Sequence, residues 1–82
     1  MIQRIAELKN RQVVCVENGA ILGFVNDIEL DTSNGKLSAI VIYGKNKGLG
    51  IFGREDDVII PWENISIIGD ETILVKCWYI DI

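Results

Sequence analysis

"AILGFVNDIELDTSNGKLSAIVIY" (residues 20–43) is the stretch whose reading decides the fold. From Ala20 to Leu30 the side chains alternate. Leu22, Phe24, Ile28 and Leu30 share one face with Asn26, while Ile21, Gly23, Val25, Asp27 and Glu29 share the other. A period of two is the signature of a strand, not of a helix. Asn34-Gly35 then signals a tight hairpin, because a type I′ turn needs positive φ at both central positions. "LSAIVIY" (37–43) is apolar on both faces, which predicts a central strand or one between the core and a second layer.

The rest of the chain extends this pattern on both sides. "QVVCV" (12–16) is a short apolar run closed by a turn at "ENG" (17–19). Downstream lie "DVII" (57–60), "ISII" (65–68) and "ETILVKCWY" (71–79), the last two joined by a tight turn at Gly69-Asp70. The single proline, Pro61, is expected to end the strand before it. Ile and Val fill 22 of 82 positions, and β-branched side chains suit a pleated surface. Six short strands with turns between them predict an all-β fold, a small six-stranded barrel in which closure removes exposed edges. Ile2, Ile5 and Leu8 are spaced three apart and permit a short N-terminal helical turn. With 82 residues there is room for one domain, 1–82, with a core over about 3–77 and a short tail at 78–82. Its hydrophobic core is thin at this size.

Composition removes several classes of function. The formal net charge of −4 argues against wholesale phosphate binding, so nucleic acid is a disfavoured partner. Lys9, Arg11, Lys45 and Lys47 do not alternate with aromatics as a single-strand binding platform requires. No apolar run reaches the roughly 18 residues of a membrane span, and "MIQRIAELKNR" lacks the apolar stretch of a secretory signal. A cytoplasmic protein without membrane insertion is expected. There is no histidine, which excludes imidazole bases and leaves too few ligands for a Cys/His zinc site. Cys15 and Cys77 read as small buried strand residues; a disulfide between them would conflict with a cytoplasmic setting.

"GLGIFG" (48–53) has the G-x-G-x-x-G spacing of dinucleotide-binding loops. That fingerprint opens a helix, whereas here "REDDVIIPW" follows and meets a proline within eight residues. No nucleotide or other cofactor is expected. Leu49, Ile51 and Phe52 among four glycines (Gly44, Gly48, Gly50, Gly53) read either as a lid over an open barrel end or as a patch for a partner. Asp27, Glu29 and Asp31 fall on one strand face, roughly 7 Å between neighbours, and read as a solvated face. "REDD" (54–57) reads as a charged flank guarding an aggregation-prone strand. An enzyme would have to draw on Asp27, Glu29, Asp31 or Glu63, yet no nucleophile–base pair can be assembled, so no catalytic residue and no metal ligand is assigned.

Two segments together resemble a known family. "NGAILGFVNDIELDTSNGKLSAIVI" is similar to the first half of a PRC-barrel domain, with Gly19, Gly23, Val25 and Asp27 fitting a G-x-x-x-G-x-V-x-D-like strand. "GREDDVIIPWENISIIGDETILVK" resembles the second half of the small stand-alone PRC-barrel proteins of the YlmC/YmxH sporulation family. There the Gly-Arg-Glu-Asp element, Ile-Pro-Trp and the Ile-Gly-Asp turn carry the likeness, which covers about residues 3–77. The resemblance implies a docking module, as in the photosynthetic reaction-centre H subunit and a ribosome-maturation factor, and a role in sporulation. We therefore expect a non-enzymatic protein–protein interaction module that self-associates as a homodimer or larger homo-oligomer and has a further protein partner. The alternatives are an RNA- or ribosome-associated factor and a small-ligand-binding barrel. The two apolar faces of 37–43 and the apolar tail support association, and the candidate interaction residues are Leu49, Ile51, Phe52, Arg54, Trp62 and Trp78. Trp62 reads either as a plug for one barrel end or as a contact residue.

Overall fold

The computed structural model describes residues 2–44 and 57–77. The described elements are one helical turn, α1 (Ile5–Leu8), and seven strands. These are β1 (Gln12–Cys15), β2 (Ile21–Phe24), β3 (Asp27–Asp31), β4 (Lys36–Ile42), β5 (Val58–Pro61), β6 (Ile65–Ile68) and β7 (Thr72–Val75), with a 3-10 turn at Trp62–Asn64. They form two sheets, one of four strands in the order β2-β1-β7-β6 and one of three in the order β3-β4-β5. β1 and β7 run parallel; every other described pair is antiparallel. The all-β class and the N-terminal helical turn agree with the sequence.

The strand count differs, and the reason is local. Residues 20–30 form two strands that serve different sheets. The Val25 N–H donates to Arg11 O at 3.0 Å and Val25 O accepts from the Asn10 N–H at 2.8 Å, which keeps Val25 with β1. The next N–H, of Asn26, donates to Val41 O of β4 at 2.9 Å, and Asn26 Oδ1 accepts from the Tyr43 N–H at 2.7 Å. The chain thus changes sheets between two consecutive residues. Gly23 makes the approach possible: its φ is +142°, and a Cβ there would lie 2.7 Å from Ile42 Cγ2. The change of sheet also breaks the alternation. Val25 is buried, while Phe24 and Leu30, on the more apolar face of the alternation, are 50% and 55% exposed.

The core lies between the sheets. Val13 and Cys15 from β1, Ile73 and Val75 from β7, Ile40 and Ile42 from β4, Ile60 from β5, and Val25 at the crossing pack with Cys77. β4 is the central strand of its sheet, as its apolar composition predicts. All four residues Ala39–Ile42 are buried. Both faces of that stretch are therefore covered within one chain, so Ala39–Ile42 supply none of the exposed apolar surface on which the case for association drew. Pro61 is the last residue of β5, which lies at the edge of its sheet among the described strands, a position where proline is tolerated.

The turns follow their residues with one exception. Gly19 adopts φ +74° and its N–H donates to Cys15 O at 2.8 Å, closing the turn at "ENG". The β3–β4 connection is wider than the two-residue type I′ turn that Asn34-Gly35 suggests. Only Gly35 has positive φ, at +73°, and its N–H reaches back to Asp31 O at 2.8 Å. Asp31 organises this loop: its Oδ1 accepts the Ser33 N–H at 2.9 Å and the Ser33 hydroxyl at 2.6 Å. These bonds favour the ionised form and hold the Asp31 carboxyl below its ordinary value of 3.8.

Two outcomes follow from the backbone. Gly23→Ala should destabilise by about 2–4 kcal/mol through strain plus the Ile42 clash, against about 1 kcal/mol for Gly35→Ala, where nothing lies within 4 Å. Urea unfolding of the two variants side by side checks the difference. Because the folded-state value of Asp31 is depressed, its contribution is present above pH 3.8 and is lost as pH falls through the folded value. Carboxyl NMR titration should place Asp31 below 3.8, and Ser33→Ala should move it back upward.

A candidate interaction surface and a cysteine staple

In the four-stranded sheet, register decides which side chains face outward. Val13 and Cys15 of β1 pair with Ile73 and Val75 of β7 and point inward. Val14 pairs with Leu74 on the opposite face. Ile21 stands opposite Val14 on β2, and Ile67 stands opposite Leu74 on β6. Paired residues in neighbouring strands lie on the same face. Ile21, Val14, Leu74 and Ile67 therefore make a continuous apolar row across all four strands. Its two ends are the most open, Ile21 at 61% and Ile67 at 57% exposure. Phe24, opposite Gln12, and Val16, two residues beyond Val14, widen the row.

The row exists because both bulges fall where they do. The β1–β2 register shifts between Val13 and Val14, and the β6–β7 register shifts between Ile65 and Ile67. A one-residue change in pairing moves a side chain to the other face. Without the second shift, Ile67 would not stand opposite Leu74.

Of the interaction candidates named from sequence, Trp62 is the one among the described residues; Leu49, Ile51, Phe52, Arg54 and Trp78 lie outside them. Trp62 opens the 3-10 turn after Pro61 and is half-buried against the core. It also lines a cavity of about 310 Å³ together with Gln3, Ile5, Leu8, Leu37 and Ile68. Arg11 spans this end of the molecule: its Nη1 donates to Gln3 Oε1 at 3.0 Å and to Gly69 O. Among the acidic residues, Asp27 Oδ1 accepts the Ile28 N–H at 2.8 Å and Asp31 serves its own loop. Both are engaged in local backbone structure.

A second cluster sits at the far end of β1. Cys15 and Cys77 are joined by a disulfide, with Cα atoms 5.5 Å apart. The expectation of two buried residues holds, at 1% and 2% exposure, and the structure pairs them in the disulfide that the sequence reading set against a cytoplasmic setting. Parallel pairing sets Cys15 beside Val75, and two further residues bring Cys77 back to the inward side. Closing a loop across 62 residues stabilises by about 4 kcal/mol on the chain-entropy account. Glu17, in the following turn, lays its Oε1 3.3 Å from Cys15 Sγ and accepts the Cys77 N–H at 3.0 Å. The two sulfurs and the carboxylate lie within 4.8 Å of one another. Sequence reading missed this trio, because nothing in local spacing reports that the first and last described strands are neighbours.

Comparison with known proteins gives a consistent assignment. The family model of the PRC-barrel domain matches residues 2–76. The chain is 44% identical over 72 residues to the probable sporulation protein YlmC of Bacillus subtilis (strain 168), covering 88% of this chain and 89% of that protein. It is 34% identical over 72 residues to an uncharacterized protein of Clostridium acetobutylicum, covering 88% of this chain and 82% of the relative. It is 27% identical over 74 residues to the uncharacterized protein YmxH of Bacillus subtilis (strain 168), covering 88% and 86%.

The packing of Trp62 makes its truncation a test of the plug role. Trp62→Ala should cost about 2 kcal/mol, less than a fully buried tryptophan, and lower the melting temperature by roughly 10 °C. An unchanged melting temperature would assign the side chain to contact with a partner.

Proposed function

Because the chain belongs to the PRC-barrel domain family, we propose that it is a non-enzymatic protein–protein interaction module that associates with a second copy of itself and serves in sporulation. The observation that carries this reading is the apolar row Ile21–Val14–Leu74–Ile67 on the outer face of the four-stranded sheet. A sheet with one face on the core usually presents alternating polar residues on the other. This one presents aliphatic side chains across its full width, the kind of contiguous exposed patch that marks interaction sites.

A second copy is the natural occupant. The row runs across the strands and is nearly symmetric about the β1–β7 pair, so a twofold axis through that pair sets the patch against itself. Covering Ile21 and Ile67 would contribute about 1 kcal/mol each, since both are a little over half exposed. Phe24 and Val16 would extend the buried centre, and exposed Glu17, Asn18 and Lys76 would lie toward its rim. The sporulation role rests on the relative that bears that name. The non-enzymatic reading rests on a side-chain inventory without histidine and on carboxylates engaged in turn and backbone bonds. A cytoplasmic location is part of the same proposal. Among the described residues no helix is long and apolar enough to cross a membrane.

Sedimentation equilibrium of the full chain at ~100 μM should return at least twice the monomer mass, the range in which a modest interface is populated. Ile67→Lys should shift the chain to monomer and leave its β-sheet circular dichroism unchanged. A monomeric parent protein at that concentration overturns self-association; loss of the circular dichroism signal in Ile67→Lys assigns that residue to stability instead.

A further inference from the structure

We infer that Cys15 and Cys77 form a reversible thiol–disulfide exchange site, guarded by Glu17, whose reactant is a low-molecular-weight thiol and its disulfide. This inference rests on the intracellular setting proposed above and shares β1 with the proposed self-association surface.

Both redox forms fit the same backbone. The Cα separation of 5.5 Å lies within the ordinary range for a disulfide, so the bond forms without moving the strands. Once reduced, each cysteine sits among Val13, Val25, Ile73 and Val75, surroundings in which a thiol behaves as a small apolar side chain. The pair also has no competitor, since the chain contains two cysteines in all. In an intracellular setting, where thiols are kept reduced, a bond of this kind is redox-responsive rather than a permanent staple.

Glu17 sets the charge beside the site. Its Oε1 accepts the Cys77 N–H in the oxidised form and lies beside Cys15 Sγ, where an S–H would donate to it after reduction. The carboxylate is exposed, while both sulfurs are buried within 4.8 Å of it, so a thiolate that reaches either sulfur through local opening meets this charge. Attack on one Sγ forms a mixed disulfide there and releases the other cysteine's sulfur, which takes up a proton. A second thiolate attacks the small-molecule sulfur of the mixed disulfide. The two small-molecule sulfurs leave as the oxidised small disulfide, and the remaining cysteine sulfur takes up the second proton. Two electrons and two protons pass to the protein, and the reverse sequence restores the bond.

The test uses the full chain equilibrated with reduced and oxidised glutathione in native buffer, quenched by thiol alkylation and read by intact mass. The expected result is one reversible two-electron transition with the circular dichroism of a folded protein at both ends. Trapped glutathione should map to Cys15 or Cys77, and the reduced form should melt more than about 10 °C lower. Glu17→Gln keeps the acceptor and removes the charge. It should speed exchange at least threefold at low salt and abolish the acceleration that added salt gives the parent protein. Thiols that stay free in oxidised glutathione, a bond that is reduced only when the chain unfolds, or equal rates and salt responses in Glu17→Gln would each overturn the assignment.

Discussion

The architecture depends on the crossing at Val25–Asn26, where one chain segment passes from one sheet to the other. Consecutive residues bond to different sheets, Val25 to Asn10 and Arg11, Asn26 to Val41 and Tyr43. Four hydrogen bonds in two residues leave little freedom in the angle between the sheets. The apolar side chain of Val25 sits in the core directly beneath that corner. Gly23 is the steric condition, since any side chain there would occupy the space of the Ile42 methyl group.

From that corner the two sheets acquire different surfaces. β4 lies in the middle of the three-stranded sheet, with Ala39–Ile42 buried. The four-stranded sheet buries its inner face through Val13, Cys15, Ile73 and Val75 and leaves the apolar row outside. The buried stretch of β4, with its two apolar faces, is absorbed inside the chain. The proposed association draws on a face assembled from β2, β1, β7 and β6, strands that contribute one row residue each.

Local order was legible in the sequence and non-local order was not. Strand-forming runs at 12–16, 37–43, 57–60 and 65–68, the helical turn and the "ENG" turn follow from period, β-branching and glycine chemistry, which act over a few residues. The division of 20–30 was hidden because alternation continues through the crossing; only Asn26 among the apolar positions of that face hinted at a break. The hairpin widened because Asp31 and Ser33 offer the loop better bonds than a two-residue turn would. The outer row and the disulfide both depend on β1 lying beside β7, a pairing across some 60 residues that no window of sequence contains. The family likeness did reach that far, since a family pattern carries the fold as a whole, yet it assigned no role to particular side chains.

A domain of this size has little core to spare, which sharpens the meaning of its two departures from economy. An 82-residue chain has a net stability of only about 5–10 kcal/mol. A disulfide worth about 4 kcal/mol is then a large share of the total, and reduction moves the folded population by orders of magnitude unless another contribution compensates. Burial of the exposed row against a second copy is a contribution of the required kind, because binding of the folded form alone stabilises that form by mass action. The staple and the row meet along β1: Cys15 points into the core, while Val14 and Val16 flank it on the outer face.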